Sequence, residues 1–413
     1  MQIFLIQLLV IVAVGRTTGA LFRRIGQTAV IGEMCAGILL GPSVLGAVSP
    51  SLEAGLFPPP SLQSLHLVSQ LGVVLFMFLV GMEFDVDHLR GRARATIVIS
   101  YTGIIVPFAL GVLLSAYLYR DYALPGVRFL TFALFTGIAM SVTAFPVLAR
   151  IIAERGLKGT ELGTLAIGCA AIDDVTAWCL LGLVLAIGRG GGVSGPILTV
   201  ALTGGVALIA FKGVRPRAGR LFGATASLVA PPGVLVPVLL FVFAAALATE
   251  AIGVHALFGA FLAGVAVAGA ANVREPVRHA VEPLTTAILL PLFFAYSGLR
   301  TEVGLLSRDA WVACGVIILA AVAGKFAAIS AAARSQGLRW SDSLALGALM
   351  NTRGLMELVV LNIGYDLGIL SPTLYTMMII MAIATTCMAG PALAVLGRRS
   401  GLANELAANS PIH

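Results

Sequence analysis

The sequence predicts an all-α protein that crosses a membrane about thirteen times. Of its 413 residues, 59% are hydrophobic and only 11% are charged, whereas soluble domains carry about 25% charged residues. Apolar stretches of roughly 17 to 25 residues recur along the chain, and a helix of that length crosses about 30 Å of hydrocarbon. Because unpaired backbone groups cannot face lipid, we expect these stretches to be helices.

The predicted spans lie at residues 3–22, 28–47, 65–84, 95–117, 129–151, 161–187, 194–211, 233–250, 252–270, 282–299, 310–332, 342–365 and 371–397. A signal peptide is the alternative interpretation of the first span, but its first charge, Arg16, follows the apolar run, whereas signal peptides begin with positive charge. In the second span, Gly37 and Gly41 are four residues apart, a spacing that allows close helix contact. The five cysteines have no metal-ligand spacing and are predicted to be packing residues.

Lysine and arginine are distributed unequally between alternate loops. Nineteen lie in one set of loops or in the span ends beside them, five lie in the other set, and the remaining two, Lys325 and Arg353, lie farther inside predicted spans. The more basic loops of membrane proteins face the cytoplasm, so the bias predicts a multi-pass plasma-membrane protein with its N-terminus outside and its C-terminus in the cytoplasm. This placement also accounts for the net charge of +7, and no nucleic-acid partner is expected.

An odd number of spans with polar residues at matching places suggests an inverted repeat of spans 1–6 and 8–13, with span 7 as a linker. Residues 141–146 (SVTAFP) interrupt the fifth span, and residues 351–354 (NTRG) interrupt the twelfth. Transporters hold their ions at such discontinuous helices near the midplane. A simple kink at Pro146 is the alternative interpretation of the first interruption.

Five ionisable residues inside the predicted spans are the candidates for chemistry: Asp173, Asp174, Lys325, Arg353 and Glu357. A charge in the membrane costs roughly 2.5 to 3.5 kcal/mol on insertion scales, so each is a functional candidate by default. Buried salt bridges that hold helices together are the alternative role. Because adjacent helical residues point about 100° apart, Asp173 and Asp174 are expected to differ, one binding a proton or cation and the other meeting Lys325.

Two further features complete the candidate set. Arg353 and Glu357 are four residues apart and share a helix face. We expect Arg353 to offset the negative end of a half-helix rather than to bind substrate. Glu33 and His255 are weaker candidates, and His255 is more simply a hydrogen-bonded buried residue.

The chain resembles the cation:proton antiporter-2 family, nearest to its cation/H⁺ exchanger branch. The matching stretches are residues 141–152 (SVTAFPVLARII), 170–180 (AAIDDVTAWCL), 324–325 (GK) and 350–364 (MNTRGLMELVVLNIG). The resemblance runs over essentially the whole chain. It implies antiport of a monovalent cation, Na⁺ or K⁺, against H⁺ in pH homeostasis, by a thirteen-helix fold with an inverted repeat and two discontinuous crossing helices.

The resemblance also implies roles for residues. Asp174 corresponds to the ion-carrying aspartate that would bind the transported Na⁺ or K⁺, Asp173 to a position that is Asp or Asn, and Lys325 to the lysine paired with it. Ser141 and Thr143 belong to the unwound stretch of the ion site, and Arg353 and Glu357 are assigned charge compensation. The branch usually has Lys at the position of Arg353, a departure that bears on cation preference.

The resemblance further implies a division of the chain. Residues 1–90 and 231–305 would form a scaffold that makes a homodimer, and residues 91–190 and 306–400 an ion-binding core. Residues 191–230 would form a linker helix with a cytoplasmic loop, and 401–413 a cytoplasmic tail. No cofactor is expected, and because the chain stops at His413 without a regulatory domain, neither is gating by nucleotide or glutathione.

Two other classes of protein are weighed. An intramembrane aspartyl protease needs two aspartates on different helices, whereas these two are neighbours on one helix, so an enzyme is not expected. A channel-like K⁺ efflux protein is the remaining alternative, with the polar stretches lining a continuous pore. Symmetric helix breaks around a charged pair favour alternating access over a channel.

Overall fold

The computed structural model describes residues 2–83, 93–157, 159–188, 194–223 and 227–397. This part of the chain contains nineteen α-helices and no strand. They are α1 (Gln2–Arg24), α2 (Ala29–Leu40), α3 (Pro50–Leu56), α4 (Pro59–Glu83), α5 (Ala93–Tyr122), α6 (Phe129–Ser141), α7 (Phe145–Glu154), α8 (Glu161–Gly188), α9 (Ser194–Leu208), α10 (Ala218–Leu221), α11 (Pro232–Ile252), α12 (Ala256–Val267), α13 (Ala271–Leu284), α14 (Leu290–Leu299), α15 (Arg308–Val322), α16 (Ala328–Ser335), α17 (Trp340–Met350), α18 (Leu355–Asp366) and α19 (Pro372–Gly397).

The helices confirm the predicted fold class. Ten helical segments of the described residues are long and apolar enough to cross a membrane, and each coincides with a predicted span. The other three predicted spans are also helical: α6 with α7, α9, and α12. The protein is therefore an all-α, multi-pass membrane protein.

The predicted boundary of the tenth span at residue 282 is wrong. The helix begins eleven residues earlier with α13 and continues through a π-helical turn, Thr285–Leu289, into α14. Arg278 forms ion pairs with Glu275 and Glu282, three and four residues away. Such pairs stabilise a helix, so charges that indicated a loop in the sequence belong to an amphipathic helix.

The helices form two compact units. The first contains α4 and α9 to α13 and all but the first residue of α3. The second contains α2, α5 to α7 and α15 to α19. Helices α1, α8 and α14 contribute residues to both. In the first unit, Gly81 of α4 and Gly264 of α12 allow close packing, because a Cβ on either would overlap the backbone of the other helix. Small residues commonly permit such approaches between membrane helices.

Glycines also allow close helix packing in the second unit. A Cβ on Gly298 of α14 would overlap the backbone of Gly37, and one on Gly41 would lie 3.1 Å from the carbonyl oxygen of Gly298. The close contact predicted for Gly37 and Gly41 is therefore confirmed.

Both predicted helix interruptions are present in the second unit. Helix α6 ends at Ser141 and α7 begins at Phe145, while α17 ends at Met350 and α18 begins at Leu355. Pro146 is the second residue of α7, where its missing N–H leaves no helical hydrogen bond unmade. The first interruption is thus a true break of the fifth span rather than a kink in a continuous helix.

Some predictions fall outside the described residues. These are the cytoplasmic tail at residues 401–413 and six of the loop basic residues: Arg90, Arg92, Lys158, Arg189, Arg398 and Arg399.

Candidate functional site

The two helix breaks of the second unit contact each other directly. The backbone N–H of Ala144 donates a hydrogen bond to the carbonyl oxygen of Thr352, at 3.2 Å. The hydroxyl of Thr143 donates to the carbonyl oxygen of Met350, at 3.1 Å. The unwound residues 142–144 and 351–354, more than two hundred positions apart in sequence, therefore cross at one place.

Helix α8 brings Asp173 to this crossing, where three donors surround its carboxylate. Ser100 of α5 donates to Oδ1 at 2.5 Å, and Thr143 shares its single hydroxyl proton between Oδ2, at 2.8 Å, and the carbonyl oxygen of Met350. Lys325 Nζ lies 3.1 Å from the same Oδ2. Both oxygens of Asp173 are therefore engaged by protein groups, and its side chain is fixed in place.

Lys325 is 0% exposed and lies in a π-helical turn, Ala323–Ala327, between α15 and α16. Single π-helical turns inside α-helices are frequent at functional sites. Besides Asp173, its ammonium group donates to the carbonyl oxygen of Ser141, the last residue of α6. The buried charge is thus paired on one side by a carboxylate and on the other by the end of a half-helix.

Asp174 differs sharply from its neighbour. Its side chain is 1% exposed, yet within the described residues neither carboxylate oxygen has a hydrogen-bond partner. The nearby backbone N–H of Phe145, at the first residue of α7, interacts with it electrostatically. Asp174 therefore lies at the N-terminus of α7, the end of a helix that favours negative charge.

Arg353 occupies the second break and binds the end of α6. Its guanidinium donates to the carbonyl oxygens of Ala139 at 2.8 Å and Met140 at 2.6 Å. It also lies 3.2 Å from Glu357 Oε2, in the first turn of α18. The last carbonyls of a helix have no partner within the helix and carry partial negative charge. Arg353 and Lys325 together neutralise this end of α6.

The structure brings five of the candidate residues to the crossing through side-chain contacts: Thr143, Asp173, Lys325, Arg353 and Glu357. Ser141 takes part through its carbonyl oxygen, because its hydroxyl donates to Ile138 within the same helix. Asp174 lies beside Asp173 on α8.

The two weaker candidates lie in other settings. Glu33 is buried on α2 with the charges of Arg150, Arg16 and Arg23 nearby. His255 is the N-cap of α12 in the first unit, where its Nδ1 accepts from the backbone N–H of Leu257.

Sequence reasoning missed two side chains that hold this arrangement. Ser100 binds Asp173, and Thr386 of α19 both accepts from the backbone N–H of Arg353 and donates to its carbonyl oxygen. Each is a single hydroxyl in an apolar stretch that contains other hydroxyls. Their only sequence signal is therefore a polar residue inside a predicted span.

A second polar network lies at the far end of α18. Arg300 donates to Asn362 at 3.0 Å and to Asp366 at 2.6 Å. The side-chain amide of Asn362 also donates to Ser297, and its carbonyl oxygen accepts from the Tyr375 hydroxyl. This network ties the end of α18 to α14 and α19.

Comparison with known proteins identifies the family of this chain. The profile described as "Sodium/hydrogen exchanger, transmembrane" matches residues 9–399. The chain belongs to the sodium/hydrogen exchanger family. This membership confirms the predicted class, a transporter rather than an enzyme.

Relatives in this family match nearly the whole chain. The Na⁺/H⁺ antiporter NhaS4 of Synechocystis is 40% identical over 94% of this chain and 96% of its own length. The cation/H⁺ antiporter 17 of Arabidopsis thaliana is 38% identical over 95% of this chain. The K⁺/H⁺ antiporter 1 of Saccharomyces cerevisiae is 31% identical, also over 95%. This chain spans about half the length of the plant and yeast proteins, 48% and 46% respectively.

A solved structure shares the fold of this exchanger. The sodium proton antiporter MjNhaP1 of Methanocaldococcus jannaschii superimposes with a TM-score of 0.67 over 97% of both chains, at 13% sequence identity. At this identity the match establishes the fold alone. It agrees with the predicted antiporter architecture of broken, crossing helices.

Proposed function

We propose that this exchanger is a secondary antiporter that exchanges Na⁺ or K⁺ for H⁺ at Asp174. The observation that carries the proposal is the contrast on α8. Asp173 has three donors, whereas among the described residues no side chain donates to the buried Asp174, which has the backbone N–H of Phe145 nearby. A buried carboxylate without a fixed partner must take up either a proton or a cation, because an isolated charge is costly to bury. Competition between the two for one carboxylate is exchange.

The names of the relatives support cation/proton antiport as the reaction, and they support both Na⁺ and K⁺ as possible cations. They include a Na⁺/H⁺ antiporter, a K⁺/H⁺ antiporter and, in Bacillus cereus, a Na⁺/H⁺-K⁺ antiporter. The proposal therefore includes both alkali cations. None of these names describes a channel, and the channel-like alternative has no support.

The residues at the crossing are proposed to have different roles in ion binding and charge compensation. Asp174 carries the ion, with the unwound backbone around Ser141 and Thr143 beside it. Asp173 and Lys325 form a pair that holds the first break, and Arg353 with Glu357 compensates the carbonyl end of α6. In support, the hydrogen bonds and ion pairs described above for these residues all lie within one compact unit.

The chain is further proposed to operate by alternating access in the plasma membrane. Residues 91–190 and 306–400 would move as the ion-binding core, and residues 1–90 and 231–305 would form the scaffold of a homodimer. Residues 191–230 would link the halves. The excess of basic residues in alternate loops supports an external N-terminus and a cytoplasmic C-terminus.

Reconstitution tests the proposal. The protein is placed in liposomes containing a pH-sensitive dye, an inward proton gradient is imposed, and Na⁺, K⁺ or Li⁺ is added in turn. Wild type is expected to dissipate the gradient with at least one of Na⁺ and K⁺.

Asp174→Asn is expected to abolish the response while eluting as a folded protein, because an amide does not bind and release a proton. Asp309→Asn, the same change at an exposed position on α15, is the matched control and should retain exchange. Cation-driven proton flux near the wild-type level in Asp174→Asn would overturn the assignment.

A further inference from the structure

Carboxylate and amide oxygens without a partner lie at the helix crossing of the second unit. Among the described residues of the second unit, the buried carboxylate and amide oxygens that lack a hydrogen bond belong to Asp174, Asn351 and Glu357. Asn351 lies in the second break, Glu357 lies in the first turn of α18 after it, and Asp174 lies on α8. A buried acceptor left unpaired costs about 1–3 kcal/mol, so such a group calls for a bound ion or water.

Asn351 lies in the backbone of the crossing itself. It follows the last residue of α17, and the carbonyl oxygens on either side of it, those of Met350 and Thr352, accept the hydrogen bonds from Thr143 and Ala144. Its side chain is 4% exposed, and its Oδ1 has no partner in the described structure. An amide oxygen is a neutral ligand of the kind that coordinates hard cations.

The two half-helices that end at the crossing differ in charge compensation. The last carbonyls of α6 receive Arg353 and Lys325, both positively charged. Among the described residues, the side chains that donate to the last carbonyls of α17 are neutral: Thr143 at Met350, and Thr352 at Leu349. In these contacts the negative end of α17 has no protein cation, and half-helix C-termini are used by transporters to coordinate cations.

We propose that Asn351 is a specificity-determining ligand of the transported cation. Its Oδ1 and the Asp174 carboxylate coordinate the dehydrated ion at the carbonyl end of α17. This assignment rests on the proposed role of Asp174. One monovalent cation, or one proton, balances the single charge of Asp174, while Asp173 remains paired with Lys325. Because the neutral oxygens contribute to the size and field of the cavity, they influence the choice between Na⁺ and K⁺.

The test measures the apparent KM for Na⁺ and for K⁺, together with the maximal rate, in proteoliposomes of wild type, Asn351→Ala and Asn351→Gln. Asn351→Ala is expected to raise the apparent KM for the transported cation about tenfold, the equivalent of losing one contact of about 1.4 kcal/mol. Asn351→Gln, with its longer side chain, is expected to change the ratio of the KM values for Na⁺ and K⁺. A purely structural role would lower the maximal rate of both ions together and leave that ratio unchanged.

Ser343→Ala is the matched control. Ser343 lies on α17 two turns before the break, and it is also buried with an unpartnered side-chain oxygen. This variant should leave both KM values unchanged. If Asn351→Ala does not fold, Asn351→Gln and Asn351→Ser decide the question by the same ratio.

Two results separate the inference from the function on which it rests. In the first, Asp174→Asn is inactive but the folded Asn351 variants have the same KM values, and the same ratio of the KM for Na⁺ to that for K⁺, as wild type. That result would overturn the role of Asn351 alone. Persistent exchange in Asp174→Asn would overturn the proposed ion site, and the role of Asn351 with it.

Discussion

At the scale of single residues, neighbouring identical side chains have opposite environments. Asp173 receives Ser100, Thr143 and Lys325, whereas among the described residues no side chain donates to Asp174, and the backbone N–H of Phe145 lies near it. The 100° angle between successive helical positions creates this difference. One carboxylate is therefore bound by protein groups on both oxygens, and the other is the proposed ion site.

Arg353 is expected to be a major contributor to stability at this scale. Arg353→Met removes the donors to Ala139 and Met140 and leaves Glu357 buried without its cation. Breaking a buried ion pair by removing one partner costs about 3–5 kcal/mol, so the Tm measured in detergent should fall markedly. Arg353→Lys keeps the charge but not the planar fork, and should give an intermediate Tm.

The control for this prediction is Arg308→Met, which removes an exposed arginine at the start of α15. Its Tm should stay close to wild type. A Tm for Arg353→Met equal to that of the control would show that the guanidinium does not stabilise the crossing.

At the scale of elements, the broken helices depend on close backbone contacts. Residues 355–364 of α18 are all buried, and Gly364 lies against the ring of Phe135 on α6. At its two ends, α18 is held by Arg353 and by the Arg300 network. These contacts hold α18 in place, although the break at residues 351–354 separates it from α17.

The close contact between α2 and α14 is expected to require glycine at position 298. Gly298→Ala places a methyl group against the backbone of Gly37, which cannot move aside as a flexible side chain can. Overpacking of this kind costs about 1–3 kcal/mol, so the Tm in detergent should fall. Gly304→Ala, where a Cβ meets nothing within 4 Å, is the control and should be neutral. An unchanged Tm for Gly298→Ala would mean that the two helices separate without cost.

At the scale of the whole molecule, the distribution of basic residues defines a proposed orientation. Four of them, Lys212, Arg215, Arg217 and Arg220, lie in or next to the short helical turns between α9 and α11. The positive-inside rule predicts that this segment faces the cytoplasm.

Cysteine labelling tests the orientation. In a variant without the five native cysteines, Gly213→Cys should resist an impermeant thiol reagent added to intact cells, because the segment is expected to face the cytoplasm. Gly304→Cys, in a loop expected outside, should react readily and serves as the control. Labelling of the Gly213 variant in intact cells, with the reverse result for Gly304, would invert the assigned topology.

The sequence by itself determined the transmembrane class, the thirteen helical spans, both interruptions and the set of buried charges. These features follow from local properties: apolar length matches the bilayer thickness, and a charge within a span is costly enough to stand out. The one substantial error in the helices, α13, arose because ion pairs three and four residues apart turn a charged stretch into an amphipathic helix.

Only the tertiary structure decided which of the buried groups meet. Lys325 joins Asp173 across 152 positions, and Arg353 reaches Met140 across 213. The partners Ser100 and Thr386, and the unpartnered oxygen of Asn351, carry no local pattern that separates them from other polar residues in apolar spans. Their roles exist because two broken helices, distant in sequence, cross at one point and leave their backbone ends to be satisfied by whatever side chains lie there.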